Sequence, residues 1–211
     1  MSAHAAALDL LLIRHAATAW SEAGRYQGRS DPPLSAAGQA AAALLARRLA
    51  ARPIGLVLSS PLARALETAC PLAALTGAPL RIDARLVELE YGDWEGLTQS
   101  EIKARWPDDL RAWKRSAAHA RPTGGESLAA AAARLSGLLA ELPRRAAPAR
   151  SVAIVTHSVL IRLALLAARG EGPAALRSLT VDPASVHRLC LCGGRLGAAD
   201  PLYSNLVPAD A

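Results

Sequence analysis

The chain has 211 residues, enough for one α/β domain with a small excursion, and its 52% hydrophobic content supports a sizeable core built without phenylalanine. A formal net charge of +6 is spread in ones and twos, as at Arg47-Arg48 and Arg144-Arg145, with no like-charged block and no basic run interleaved with aromatics. That pattern speaks against a nucleic-acid partner. No apolar run approaches the roughly 20 residues that span a bilayer, so no membrane partner and a cytoplasmic location are expected.

Cys70, Cys190 and Cys192 are too few and wrongly spaced for a disulfide framework or a zinc site, and read as reduced structural thiols. Met1 to Ala7 lacks a basic segment followed by a long apolar core, so no signal peptide is expected there.

The first element is an apolar strand from Leu8 to Ile13 that discharges into Arg14, His15 and Thr18. Gly24 and Asp31-Pro32-Pro33 keep the next stretch irregular. In an open α/β sheet, ligands sit at the carboxyl ends of the strands, so Arg14 and His15 stand where a ligand would bind. A surface pair after a core strand is the competing reading. Ser35 caps a helix running towards Ala51, and Ile54 to Leu58 is a short buried strand ending in Ser59-Ser60-Pro61. Proline in the first turn opens the next helix, three residues before Arg64.

Gly77-Ala78-Pro79 breaks that helix before a third strand at Leu80–Ile82. Leu86 to Gly96 follows no period and carries Glu88, Glu90, Asp93 and Glu95 with Tyr91 and Trp94, the composition of a shaped loop over a site. Thr98 to His119 is helical, with Pro107 starting a second helix and Trp106 and Trp113 as packing anchors. Arg121 to Ser127 turns into an alanine-rich helix that ends near Leu142, and Pro143 to Arg150 reads as a basic linker. Ser151 to Thr156 is a β-branched strand that runs into His157 and Ser158 before a helix over Val159–Ala168. Ala184 to Cys192 is a strand, Gly193-Gly194 a hairpin turn, and the tail after Pro201 is loose.

The polar groups at the strand ends are Arg14, His15, Arg64 and His157, with Glu88 on the irregular loop. Two arginines and two histidines around one point can neutralise a phosphate dianion. No P-loop lysine, no metal-ligand spacing and no Gly-x-Ser-x-Gly is present, which leaves covalent catalysis by an imidazole.

These residues resemble the histidine phosphatase superfamily, also called the phosphoglycerate-mutase-like family. The resemblance runs through Arg14-His15-Ala16 with Thr18 and Trp20, Gly24 to Gly28, Asp31 to Gly38, Ser59 to Ala65 with Thr68, Glu88 with Gly92 and Trp94-Glu95-Gly96, Gly124 to Ser127, and Thr156-His157. It implies a single domain over 1–211: a three-layer αβα sandwich with a mostly parallel central sheet and a small helical cap excursion at about 91–121. It implies that His15 becomes phosphohistidine and that Glu88 protonates the leaving alcohol and then activates water. Arg14, Arg64 and His157 would hold the phosphoryl oxygens, with Gln27, Ser21 and Ser158 lining the same pocket. Three positions depart from the family pattern: Ala16 and Ser158 stand where glycine is usual, and Ser21 where many members have asparagine.

The activity implied is a cofactor-independent, metal-independent phosphomonoesterase acting on a small phosphorylated metabolite, as a monomer or homodimer. Mutase-type phosphoryl transfer and alpha-ribazole phosphatase activity are the alternatives, with a non-catalytic phosphate-binding module behind them.

Overall fold

The apolar run that begins at Leu8 forms strand β1 (Leu8–Arg14), and its alternation decides the layering of the molecule. Leu8, Leu10 and Leu12 belong to one buried cluster and Leu11 and Ile13 to another, as the two faces of a strand require. The computed structural model describes residues 7–115 and 120–198; the expectations for the first six residues, for His119 and for the tail after Pro201 lie outside the described residues.

After a single turn, α1 (Ala19–Glu22), the chain forms α2 (Ala36–Leu49), β2 (Leu56–Ser59), α3 (Ala63–Thr76) and β3 (Leu80–Ile82). The irregular stretch holds 3-10 turns at Ala84–Leu86 and Gly92–Trp94, and leads to α4 (Gln99–Arg105) and α5 (Pro107–Arg115). Then come α6 (Leu128–Ala146), β4 (Ser151–Thr156), α7 (Ser158–Ala168), β5 (Val186–Cys192) and β6 (Arg195–Ala198).

The strand order is β3-β2-β4-β1-β5-β6. The first four strands are mutually parallel, and β5 and β6 add an antiparallel hairpin beside β1. Helices α2 and α3 cover one face through Ala42, Leu45, Ala69 and Leu72. On the other face α6 and α7 pack with α4 and α5, whose Ile102, Leu110 and Trp113 join the cluster containing Leu10 and Leu138. This is the three-layer αβα arrangement read from the sequence. Strand β4 is buried along its whole length, which is why it reads as a near-continuous apolar run rather than an alternating one. The Trp113 and Trp94 rings meet edge to face, 6.3 Å apart, and anchor the α4–α5 segment.

The parallel register brings the strand ends level. Arg14 lies opposite Thr156, and Ser59 lies opposite Val155, so His15, Ser60 and His157 emerge side by side at one rim.

Three local expectations need correction. Thr18 caps α1 through a reciprocal box with Ser21, so the stretch after His15 begins with a helical turn instead of irregular chain. Pro61 lies outside α3, whose N-cap is Leu62, so Arg64 is the second helical residue. Helix α6 continues through Pro143 to Ala146, because Leu142 and Ala146 are both buried against the core and the Arg145 carbonyl accepts from Arg81 at 2.9 Å. That burial outweighs the hydrogen bond that proline removes.

Gly38 fixes how closely α2 approaches the loop after β1, since a Cβ there would sit 2.0 Å from the Ala17 carbonyl oxygen. Alanine is the better helix former by about 1 kcal/mol, whereas forcing a methyl into this contact costs about 3 kcal/mol. Gly38→Ala is therefore expected to lower the urea midpoint. An unchanged or raised midpoint would show that the loop yields freely.

Candidate active site

A cavity of about 340 Å³ opens at the rim where β1 and β4 end, lined among others by Arg14, His15, Gln27, Arg64, Glu88 and Ser158. Of the sequence-predicted residues, all but His157 and Ser21 line it. His157 is fully buried next to it, with its ring centroid 5.1 Å from that of His15. Ser21 does not line the cavity: its hydroxyl accepts from the Thr18 amide and donates to the Thr18 carbonyl, both at 2.9 Å. A serine three residues after a threonine is a capping signal, and that local role consumes it.

The imidazole of His15 is held in one tautomer. Its Nδ1 lies 2.7 Å from the Ala16 carbonyl, which can only accept, so Nδ1 carries the proton and Nε2 keeps its lone pair. The Ala16 amide donates in turn to the Thr68 hydroxyl at 3.0 Å, and Thr68 donates to the Arg64 carbonyl at 2.8 Å. The loop carrying His15 is thereby tied to α3. Burial, then the nearby Arg14 and Arg64 charges, push the His15 pKa well below the ordinary histidine value. His157 is lowered in the same way, by burial first and then by His15 and both arginines. Its Nε2 lies 2.8 Å from the Ser60 hydroxyl.

Arg64 is fully buried and donates to the carbonyls of Gly28 and Ser30, each at 2.7 Å. Arg14 donates to the Val181 carbonyl at 2.6 Å. Burial lowers both guanidinium pKa values, and for both the Glu88 carboxylate is the foremost charge acting in the opposite direction. Among the described residues, the buried side-chain nitrogens without a partner include Arg14 Nε, Arg64 Nε and His157 Nδ1. Buried polar groups are nearly always satisfied, so three orphans around one imidazole mark a polar ligand site. Two guanidiniums among them make that ligand an anion.

Glu88 is 7% exposed, and both carboxylate oxygens accept from the Val159 amide at the start of α7 at 3.3 Å; Oε1 also accepts from the Leu89 amide at 2.9 Å. The backbone under it is clamped by Arg134, which donates to the carbonyls of Arg85 and Val87 at 2.6 Å and of Glu88 at 3.2 Å.

Sequence reasoning missed Arg162 and Asp182 and singled out neither Tyr26 nor Tyr91 within the stretches that it read, and all four line the cavity. Arg162 was recoverable in principle, since it lies four residues after Ser158 and shares its helix face. Asp182 follows no motif and reaches the site on the loop that leads into the antiparallel β5.

Residues 10–199 match the family model for the histidine phosphatase superfamily (branch 1). The chain is 35% identical to phosphoserine phosphatase 1 of Hydrogenobacter thermophilus over 84% of each protein. It is 40% identical to glucosyl-3-phosphoglycerate phosphatase of Mycobacterium tuberculosis over 72% of this chain and 71% of that one. Among solved structures, Bacillus stearothermophilus YhfR superposes with a TM-score of 0.84 at 30% identity, covering 91% of this chain and 95% of that one. A mycobacterial glucosyl-3-phosphoglycerate phosphatase complexed with VO3 gives 0.78 at 36% identity, over 86% of this chain and 90% of that one.

Three buried histidines, His15, His157 and His187, have pKa values lowered by burial, with a consequence for folding. Between their folded values and the unfolded value of about 6.5, the unfolded chain binds more protons, so stability rises with pH across that window. The contribution is complete above it and is lost as the pH falls through it. The thermal midpoint is therefore expected to fall between pH 7.5 and pH 5.5, with a shallower slope in His157→Asn. An equal slope in that variant would remove His157 from the account.

Proposed function

From a chain that belongs to the histidine phosphatase superfamily, we propose hydrolysis of small phosphomonoesters through a phosphohistidine on His15. The observation that carries this reading is the fixed tautomer of His15, which leaves Nε2 as an unprotonated nitrogen beside the buried guanidinium of Arg64 and the partly buried one of Arg14.

The Nε2 lone pair attacks phosphorus and the ester P–O bond breaks. Charge spreading over the phosphoryl oxygens is met by Arg14, Arg64 and the unpartnered Nδ1 of His157. The departing alkoxide takes the proton of Glu88. The phosphorylated ring carries the positive charge, which its Nδ1–H shares with the Ala16 carbonyl. Glu88, now a carboxylate, removes a proton from water, the oxygen of which attacks phosphorus. The P–N bond then breaks and the neutral ring and the acid form of Glu88 are restored.

All groups required are side chains, so the reaction proceeds without a metal ion and turnover is expected to persist in excess EDTA. With p-nitrophenyl phosphate, His15→Ala is expected to lose on the order of a thousandfold or more in kcat. Glu88→Gln distinguishes the two half-reactions. Nitrophenolate leaves without a proton, so phosphorylation persists while water activation falls by about a hundredfold or more, and an acid-labile phosphoprotein accumulates. Absence of both turnover and acid-labile phosphate in the wild type would overturn the reading. Release of inorganic phosphate from 3-phosphoglycerate, in place of isomerisation, separates hydrolysis from mutase-type transfer.

A further inference from the structure

Outside the phosphate-facing residues the cavity carries a cation that the phosphohistidine chemistry leaves unused. Arg162 lies one helical turn after Ser158 on α7 and is held on one side only. Its Nη2 donates to the Ser158 hydroxyl at 2.7 Å and its Nε to the Ser158 carbonyl at 3.3 Å. Among the described residues no carboxylate lies within ion-pair distance of it. Asp182 lines the same cavity and is not its ion-pair partner.

Its position follows from the cavity walls. Arg162 lines the phosphate-facing cavity together with Arg14, Tyr26 and Tyr91. It therefore stands between the phosphate-facing cations and an aromatic wall in which Tyr26 and Tyr91 meet edge to face at 4.9 Å. A second cavity of about 330 Å³ continues past Arg162 and the two tyrosines towards Arg177 and Trp113. The order along α7 sets the direction. Glu88, which protonates the leaving oxygen, receives the Val159 amide, and Arg162 bonds to Ser158 next to it. An alcohol leaving past Glu88 meets Arg162 next.

We propose that Arg162 reads a carboxylate on the alcohol part of the substrate, so that the preferred substrates are phosphomonoesters with a second negative charge close to the phosphate. A guanidinium already oriented by one serine presents its remaining donors in a planar fork, the geometry that matches a carboxylate. This inference rests on the phosphomonoesterase reading of His15 and Glu88 and is tested so that the two can fail separately.

The test compares kcat/KM within pairs that differ in the carboxylate: O-phosphoserine against phosphoethanolamine, and 3-phosphoglycerate against glycerol 3-phosphate. A charge-assisted contact of this kind predicts about a 10- to 100-fold preference for the carboxylate member. In Arg162→Met the ratio within each pair is expected to fall close to one, and in Arg162→Lys, which keeps the charge but not the fork, to an intermediate value. A wild-type ratio near one overturns the proposal, as does an Arg162→Met variant that slows both members of a pair equally. If that variant does not fold, the wild-type ratios decide the matter alone. Failure of the underlying reading shows separately, as a wild type that neither turns over p-nitrophenyl phosphate nor forms acid-labile phosphoprotein.

Discussion

Holding the buried Arg64 guanidinium and the partly buried Arg14 guanidinium beside a neutral imidazole is the constraint on which the rest of the site depends. A cation taken out of water must be met by oxygen atoms. Arg64 is met by the carbonyls of Gly28 and Ser30, and that turn is itself held by Glu95. The Glu95 carboxylate accepts from the Arg29 and Ser30 amides at 2.9 and 2.8 Å and from the Tyr91 amide at 3.1 Å. It therefore ties the turn after Gln27 to the loop that follows Glu88. Gly28 is required at this point: its φ is +54°, and a Cβ would lie 1.9 Å from the Glu95 oxygen. A single surface-loop carboxylate thus sets, through backbone carbonyls, where a buried arginine can present itself to an anion.

The strand ends were legible in the sequence for a physical reason. Parallel strands buried on both faces are written as unbroken apolar runs, and the first polar residue after each run lies at the carboxyl rim. Arg14, His15, Ser60 and His157 are all of this kind, and once the register is parallel and in step they have to meet. Glu88 was legible as part of a loop too charged and too aromatic to be scaffold. What the sequence did not disclose depends on rotation about a helix axis or on contacts distant in the chain. Arg162 faces the cavity because of how α7 seats its Leu160 and Leu163 side of the helix in the core, and Asp182 is delivered by the return of the chain into an antiparallel strand. The continuation of α6 past Pro143 has the same origin, since only the packed structure shows that Leu142 and Ala146 are both buried. Ser21 misled because a hydroxyl near a site has a competing local use, and the capping box satisfied it first.

The two ends of the cavity are built on different terms. The end proposed to take phosphate consists of Arg14, His15 and His157 at the ends of β1 and β4 and Arg64 in the first turn of α3, each next to buried residues of the sheet or helix. The end proposed to face the alcohol consists of the second turn of α7, the Tyr26–Tyr91 edge contact and the loop before β5, where Leu179 and Thr180 are only partly covered or exposed. Substitutions there alter charge and shape without opening the core. The helix that joins the two ends carries both proposed functions within one turn: its Val159 amide holds the Glu88 carboxylate proposed as the general acid, and Arg162 stands one turn after Ser158. On the proposed chemistry, proton transfer and alcohol recognition are thereby kept in fixed relation by one helix, while the residues that would choose the alcohol remain free to differ from those that would take the phosphate.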